Sequence, residues 1–201
     1  MSFTIILIGL TVVLSFYAWN NQDKYYRWMM NPYQVERKKQ YDRFLLSGFI
    51  HSDYVHLGFN MFTLYFFGSN LEDYYLRSIV GGDASYIFIA LYLVAIVVSE
   101  IPTFLKHRNT PGYNSLGASG AVAAVIFSTI IFDPWNKIYV FFIPVPGILF
   151  GGLFLAYSWY QTKNARDNIN HDAHFYGAVF GIIFTLILEP GLFGSFLNEL
   201  F

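Results

Sequence analysis

Asn114-Ser115-Leu116-Gly117-Ala118-Ser119-Gly120-Ala121 opens a segment, Thr110 to Phe132, that carries no charged side chain. A serine between glycine-rich neighbours at the head of an apolar helix is unusual. Glycine and alanine let a second backbone approach closely. The hydroxyl of Ser119 is then held where water is scarce. Taken alone, the stretch reads first as a small-residue helix contact. Two other polar signals favour chemistry. Downstream, His171-Asp172-Ala173-His174 heads another apolar segment. Upstream, His51, His56 and Asn60 precede or begin a third.

The composition says what surrounds these residues. Of 201 residues, 55% are hydrophobic and only 12% charged, about half the charged share of a soluble domain. Mean hydropathy is +0.42. A chain with 22 phenylalanines and 16 tyrosines exposes more apolar surface than a soluble fold of this size can hide. The expectation is an all-α polytopic membrane protein. The net charge of −1 offers no footprint for nucleic acid. The absence of cysteine excludes disulfides and thiolate chemistry. The first apolar segment has no basic stretch before it and no small-residue cleavage site after it, and reads as a retained helix.

Six spans are expected, at Phe3–Trp19, Val55–Leu71, Ala84–Val98, Ser115–Phe132, Ile138–Tyr160 and Ala173–Leu188. Together they form one transmembrane domain over residues 1–201. Glu72, Asp73 and Arg77 mark the exit of the second span, Gly81-Gly82-Asp83 a turn, and Glu100 and Pro102 the close of the third. Pro144 and Pro146 fall in the first turns of the fifth and loosen it. The connection Asn20–Ile50 interleaves six basic residues with tyrosines, Trp28 and methionines, as expected of a segment lying among lipid headgroups. The last ten residues are apolar and lie at the interface.

Spans two, four and six cross in one direction, so their starting residues share a depth. His56, Asn60, Ser119 and His174 therefore converge, and a converging polar set inside a membrane is a functional-site hypothesis. Ser119 supplies a hydroxyl, and His174 is the base able to take its proton. Asp172 is two residues from His174 and points elsewhere, leaving a Ser-His dyad. His56 and Asn60 share a helix face and can donate to a developing oxyanion, with the Ser119 N–H at the helix start. Gly177 and Gly181 follow His174 on about one face and allow span six to approach span four.

The Gly117-Ala118-Ser119-Gly120 and Ala173-His174-Phe175-Tyr176-Gly177 motifs, with the His51…His56…Asn60 spacing, resemble those of the rhomboid intramembrane serine proteases. The resemblance covers almost the whole chain. It implies a six-helix bundle with an interfacial first loop, Ser119 as nucleophile and His174 as general base. His56, Asn60 and Gly117 would position the oxyanion and substrate, and Gly120, Gly177 and Gly181 would close-pack around the site. Arg43 matches the first-loop Trp-Arg signature, with Asp42 in place of the tryptophan. Span five, with Phe141 and Phe142, resembles a lateral gate, and Gln161–Asn170 a cap. Implied partners are transmembrane protein substrates and membrane lipids, with no cofactor and no metal. Where bacterial members carry a tyrosine stacked on the catalytic imidazole, this chain has Ala123. Phe175, Tyr176 or a span-two aromatic would then hold His174. The implied setting is a bacterial cell membrane with both termini cytoplasmic. That topology places ten of the twelve basic residues outside, against the positive-inside rule. Three rivals are an inactive relative that escorts membrane clients, a metal site from His51, His56, His171 and His174, and a small transporter. The metal site lacks an HExxH motif, and the transporter lacks an inverted repeat.

Overall fold

The computed structural model describes residues 2–140, 142–164 and 167–201. The fold is mostly helical. Helix α1 (Phe3–Trp19) leads into a first connection built from α2 (Gln22–Trp28), α3 (Pro32–Lys38) and α4 (Arg43–Leu46). Asn21 and Asn31 cap α2 and α3 by accepting the Lys24 and Gln34 N–H groups, satisfying donors that a helix start leaves free. Arg43 is buried and holds the connection together. Its Nε donates to Gln40 Oε1 at 2.7 Å and its Nη1 to the carbonyls of Tyr26 and Met29.

Helix α5 (Tyr54–Thr63) continues through two wide π-helical stretches, Leu64–Gly68 and Leu71–Leu76, into α6 (Arg77–Val80). The chain then turns at Gly81, whose φ of +60° only glycine adopts readily. Helix α7 (Ala84–His107) follows and packs back on residues 71–76. Glu72 lies where this run meets the start of α1. It is fully buried and accepts hydrogen bonds from the Phe3 and Thr4 N–H groups, both at 2.9 Å, capping the start of α1. Helix α7 also runs past the expected stop at Val98. Pro102 lies inside it, because a proline removes one backbone bond without ending a helix that packing holds on both sides.

Helix α8 (Ser119–Phe132) is the centre of the bundle, with every residue from Gly120 to Ile131 buried. A helix apolar all round belongs in the middle, and the small residues Gly120, Ala121, Ala123 and Ala124 let its neighbours approach. It starts at Ser119 rather than Ser115. Residues 115–118 instead form an extended turn paired to the first connection, with Met30 and Ser115 exchanging both backbone bonds at 2.9 and 3.0 Å.

The expected fifth span also changes. Residues Lys137–Val140 (β1) and Ile143–Pro146 (β2) form an antiparallel hairpin, and only then does α9 (Gly147–Asn164) begin. The β-branched Ile138, Val140, Ile143 and Val145 favour strand. A two-stranded ribbon has only edge strands, which tolerate Pro144 and Pro146. Helices α10 (His171–Leu188) and α11 (Gly191–Leu200) complete the chain.

By length and composition, the helical run Tyr54–His107 and helix α10 are long and apolar enough to cross a membrane, while α1 and α8 are apolar but shorter. Large apolar side chains such as Phe59, Phe62, Leu153 and Ile187 face outward, a surface suited to lipid.

Candidate active site

Three elements meet around the start of α8. Gly117, with φ of +118°, turns the chain over the imidazole of His56. A Cβ at residue 117 would lie 2.7 Å from His56 Cε1 and 2.8 Å from Nε2. The backbone of this turn is fixed from beneath. The Gly117 N–H donates to the Ser47 carbonyl at 2.9 Å, and the Ala118 N–H donates to His51 Nε2 at 3.3 Å. His51 is wholly buried, and its Nδ1 lies 3.2 Å from Ser15 Oγ. Since Nε2 accepts, the neutral ring carries its proton on Nδ1 and donates to Ser15, which in turn donates to the Phe49 carbonyl. Its own carbonyl accepts from Trp19 Nε1 at 2.8 Å. His51 thus holds the backbone turn that leads into Ser119, a role its place in the sequence does not reveal.

Ser119 is half-buried at the first position of α8. The first helical bond at this end is Val122 N–H to the Ala118 carbonyl. The Ser119 and Gly120 N–H groups accordingly have no acceptor within the helix, as at any helix start.

Helix α10 comes closest to α8 at two glycines. A Cβ on Gly177 would overlap the Gly120 backbone, and one on Gly181 the Ala124 backbone. Ser128 Oγ adds a bond to the Gly181 carbonyl at 3.2 Å. Gly120 lies against Ser99 and the Ala173 carbonyl. Ser119 and His174 therefore sit beside this contact on facing helices. No hydrogen bond joins their side chains among the described residues.

The surroundings of His174 depart from expectation. Phe175 and Tyr176 pack on each other, with centroids 5.3 Å apart. The ring of His174 instead lies 6.2 Å from Phe154 of α9 and 5.9 Å from His171. Ala123 is buried in the core. Asp172 turns away and pairs with Lys106 at 2.8 Å. His171 Nε2 lies 3.2 Å from Asp167 Oδ1. The Ile169 N–H, more than the histidine, holds the Asp167 carboxyl below its ordinary value.

On α5, Asp53 caps the helix by accepting the Val55 and His56 N–H groups, both at 2.9 Å. The His56 N–H, then the Ser52 hydroxyl, hold its carboxyl below the ordinary range. The Ser52 proton is committed to Asp53 at 2.7 Å, since a carboxylate only accepts. Ser52 Oγ, 3.0 Å from His56 Nδ1, must then accept from that ring. In this network neutral His56 presents a lone pair, not a proton, towards Gly117. Asn60 Nδ2 donates to the His56 carbonyl at 2.9 Å, and its second amide hydrogen has no partner among the described residues.

A polar network invisible in the sequence joins the two helix starts. Glu100 of α7 is buried and accepts from Ser115 Oγ at 3.4 Å and Asn170 Nδ2 at 3.1 Å. Asn170 Oδ1 caps α10 by accepting the Ala173 N–H at 3.1 Å.

Of the expected gate residues, Phe141 lies outside the described residues. Phe142 sits in the hairpin turn with φ of +69° and is almost fully exposed. It is not part of a helix, so the helical gate placed there is corrected.

A comparison with known protein families matches residues 38–190 to the rhomboid domain. The chain is 30% identical over 182 residues to RHOMBOID-like protein 12, mitochondrial, of Arabidopsis thaliana, covering 83% of this chain and 53% of that protein. It is 31% identical over 142 residues to the human presenilin-associated rhomboid-like protein, mitochondrial, covering 69% and 35% respectively. It is 29% identical over 144 residues to Rhomboid protein 1, mitochondrial, of Saccharomyces cerevisiae, covering 69% and 39%. The chain thus spans about half the length, or less, of these relatives. Their mitochondrial names overturn the expectation of a bacterial cell membrane with cytoplasmic termini. Hydrophobic spans report that a bilayer is needed, not which one, because bilayers differ in thickness by only a few ångströms. With the rhomboid domain matched over most of its length, the chain belongs to the rhomboid family.

Proposed function

We propose that this chain is an intramembrane serine endopeptidase, acting as a six-span domain over residues 1–201 on transmembrane segments of other proteins. One observation carries the reading. Ser119 stands at an uncapped helix start beside a glycine-on-glycine contact with the helix that bears His174.

Ser119 Oγ attacks the scissile carbonyl while His174 takes its proton. The oxyanion forms next to the free amides at the start of α8, where the helix dipole favours negative charge. His174 then protonates the leaving amine. A water molecule, deprotonated by the same imidazole, releases the acyl group from the serine. Asn60 contributes its second amide hydrogen. His56 joins as a donor only once Nε2 carries a proton, which requires Ser52 to turn from Asp53 to Nδ1, or the ring to become charged. Gly117 leaves room for the substrate backbone, and Arg43 keeps the first connection in place. The site-bearing helices tighten into their working geometry on substrate binding, since catalytic hydrogen bonds are often long in the free enzyme. A mitochondrial membrane is the proposed location, supported by the names of the relatives.

The test is a fluorophosphonate probe applied to purified protein in detergent, with cleavage of a transmembrane substrate followed in parallel. Labelling and cleavage are expected for the wild type and absent for Ser119→Ala and His174→Ala. Cleavage by S119A would end this reading. A wild type that neither labels nor cleaves would favour the silent client-binding rival.

A further inference from the structure

The first connection encloses a shallow concavity of about 390 Å³ whose wall includes Arg27, Lys38 and Arg43, amides such as Asn31 and Asn114, and no carboxylate. Its charge is poorly compensated. Arg43 is buried, and all three of its hydrogen bonds go to neutral oxygens. Burial, and next the charge of Arg27, lower its guanidinium from the ordinary value. Arg27 spends Nη2 on Asp42 at 2.9 Å, while its buried Nη1 has no partner among the described residues. A buried guanidinium without a counter-charge is costly. Three cations around one concavity, answered among the described residues by Asp42 alone, call for an anion with several oxygens. Guanidinium groups match such an anion in forked pairs, with lysine adding a point charge.

We propose that this concavity binds the phosphate group of an anionic membrane lipid headgroup. The surrounding sequence selects the lipid as its source. Tyr26 and Tyr41 stand exposed, and Trp28 packs with Tyr17 of α1 at 5.7 Å. Amphipathic aromatics of this kind collect at headgroup depth, where basic residues attract anionic lipid. The site is also connected to the turn before Ser119. Asn31 Nδ2 donates to Asn114 Oδ1 at 3.0 Å across the wall, and the Met30–Ser115 bridge lies one residue on. A bound phosphate steadies that turn.

The test measures binding and needs no proteolysis. Full-length protein is loaded with phosphatidylglycerol or with phosphatidylcholine, washed by detergent exchange, and assayed for retained lipid by native mass spectrometry. Wild type should keep phosphatidylglycerol specifically. Arg27→Gln with Lys38→Gln should weaken retention about 30-fold, at roughly fivefold for each basic residue. Both side chains are solvent-accessible, so the variant should fold, as circular dichroism would verify. Lys24→Gln with Arg37→Gln, on the same segment, should stay within about threefold, because neither side chain lines the concavity. An equal loss in both double variants would mean diffuse surface attraction and would overturn the proposal, as would no retention by the wild type. Inorganic phosphate is titrated in a parallel arm. Its binding with the same residue dependence, without lipid retention, would overturn the lipid source.

Discussion

Gly177→Ala tests whether the contact between α8 and α10 sets the geometry of the site. A Cβ there would fall 2.8 Å from the Gly120 carbonyl carbon and 3.0 Å from its Cα, where ordinary contact begins at 3.4 Å, and nearer still to the carbonyl oxygen. The obstacle is backbone, which cannot rotate aside as a side chain can. The two helices must separate by roughly 1 Å, an overpacking cost of about 1–3 kcal/mol. Gly177 is one turn from His174, so the separation carries the imidazole away from Ser119. A displacement of about 1 Å typically costs on the order of 10²-fold in rate. The assay pairs thermal unfolding in detergent with cleavage of a transmembrane substrate. Gly152→Ala is the control. It lies on α9 with no atom within 4 Å of an added Cβ, so it should gain roughly 0.5–1 kcal/mol from reduced backbone freedom. G177A should lose both stability and rate. If it unfolds and cleaves as the wild type does, the close approach at Gly120 does not position the dyad and the argument fails.

Asn60→Ala should lower kcat by about 10- to 100-fold with a stability loss of only about 1 kcal/mol, the worth of its bond to the His56 carbonyl. Unchanged kcat with a large fall in Tm would make it a packing residue instead. Glu72→Ala should destabilise the protein by about 2–3 kcal/mol, because buried N–H groups at the start of α1 lose a charged acceptor, and a Tm equal to wild type would contradict the cap. Cleavage by the wild type should fall on acidification, since only neutral His174 accepts the serine proton. A rate that is flat from pH about 9 to about 3, with helicity intact, would exclude an imidazole base. Phe142→Gly should leave the hairpin at least as stable, by up to about 1–2 kcal/mol, because a non-glycine residue at positive φ is strained. A clear loss of Tm would show that the exposed ring is packed.

The amino-acid sequence by itself determined the medium and the family. Apolar content reports burial or lipid residue by residue, and short-range spacing places Asn60 one turn after His56 and Gly177 one turn after His174, because a helix fixes which neighbours share a face. The Ser119 and His174 motifs are likewise local, so the proposal for both starts from the sequence. What depended on distant partners was not. Glu72 and Glu100 look like span markers in sequence, yet each is buried against segments many residues away, where its carboxylate joins elements. The hairpin at 137–146 has an apolar pattern that suits strand or helix alike, and only the pairing of Ile138 with Val145 and Tyr139 with Pro144 separates the two. Phe154 lies beside His174 because α9 packs there, a neighbour that local spacing does not reveal. The direction of the His56 proton was equally hidden, since it depends on Ser52 and Asp53 together and on the folded helix start that aims them at one ring.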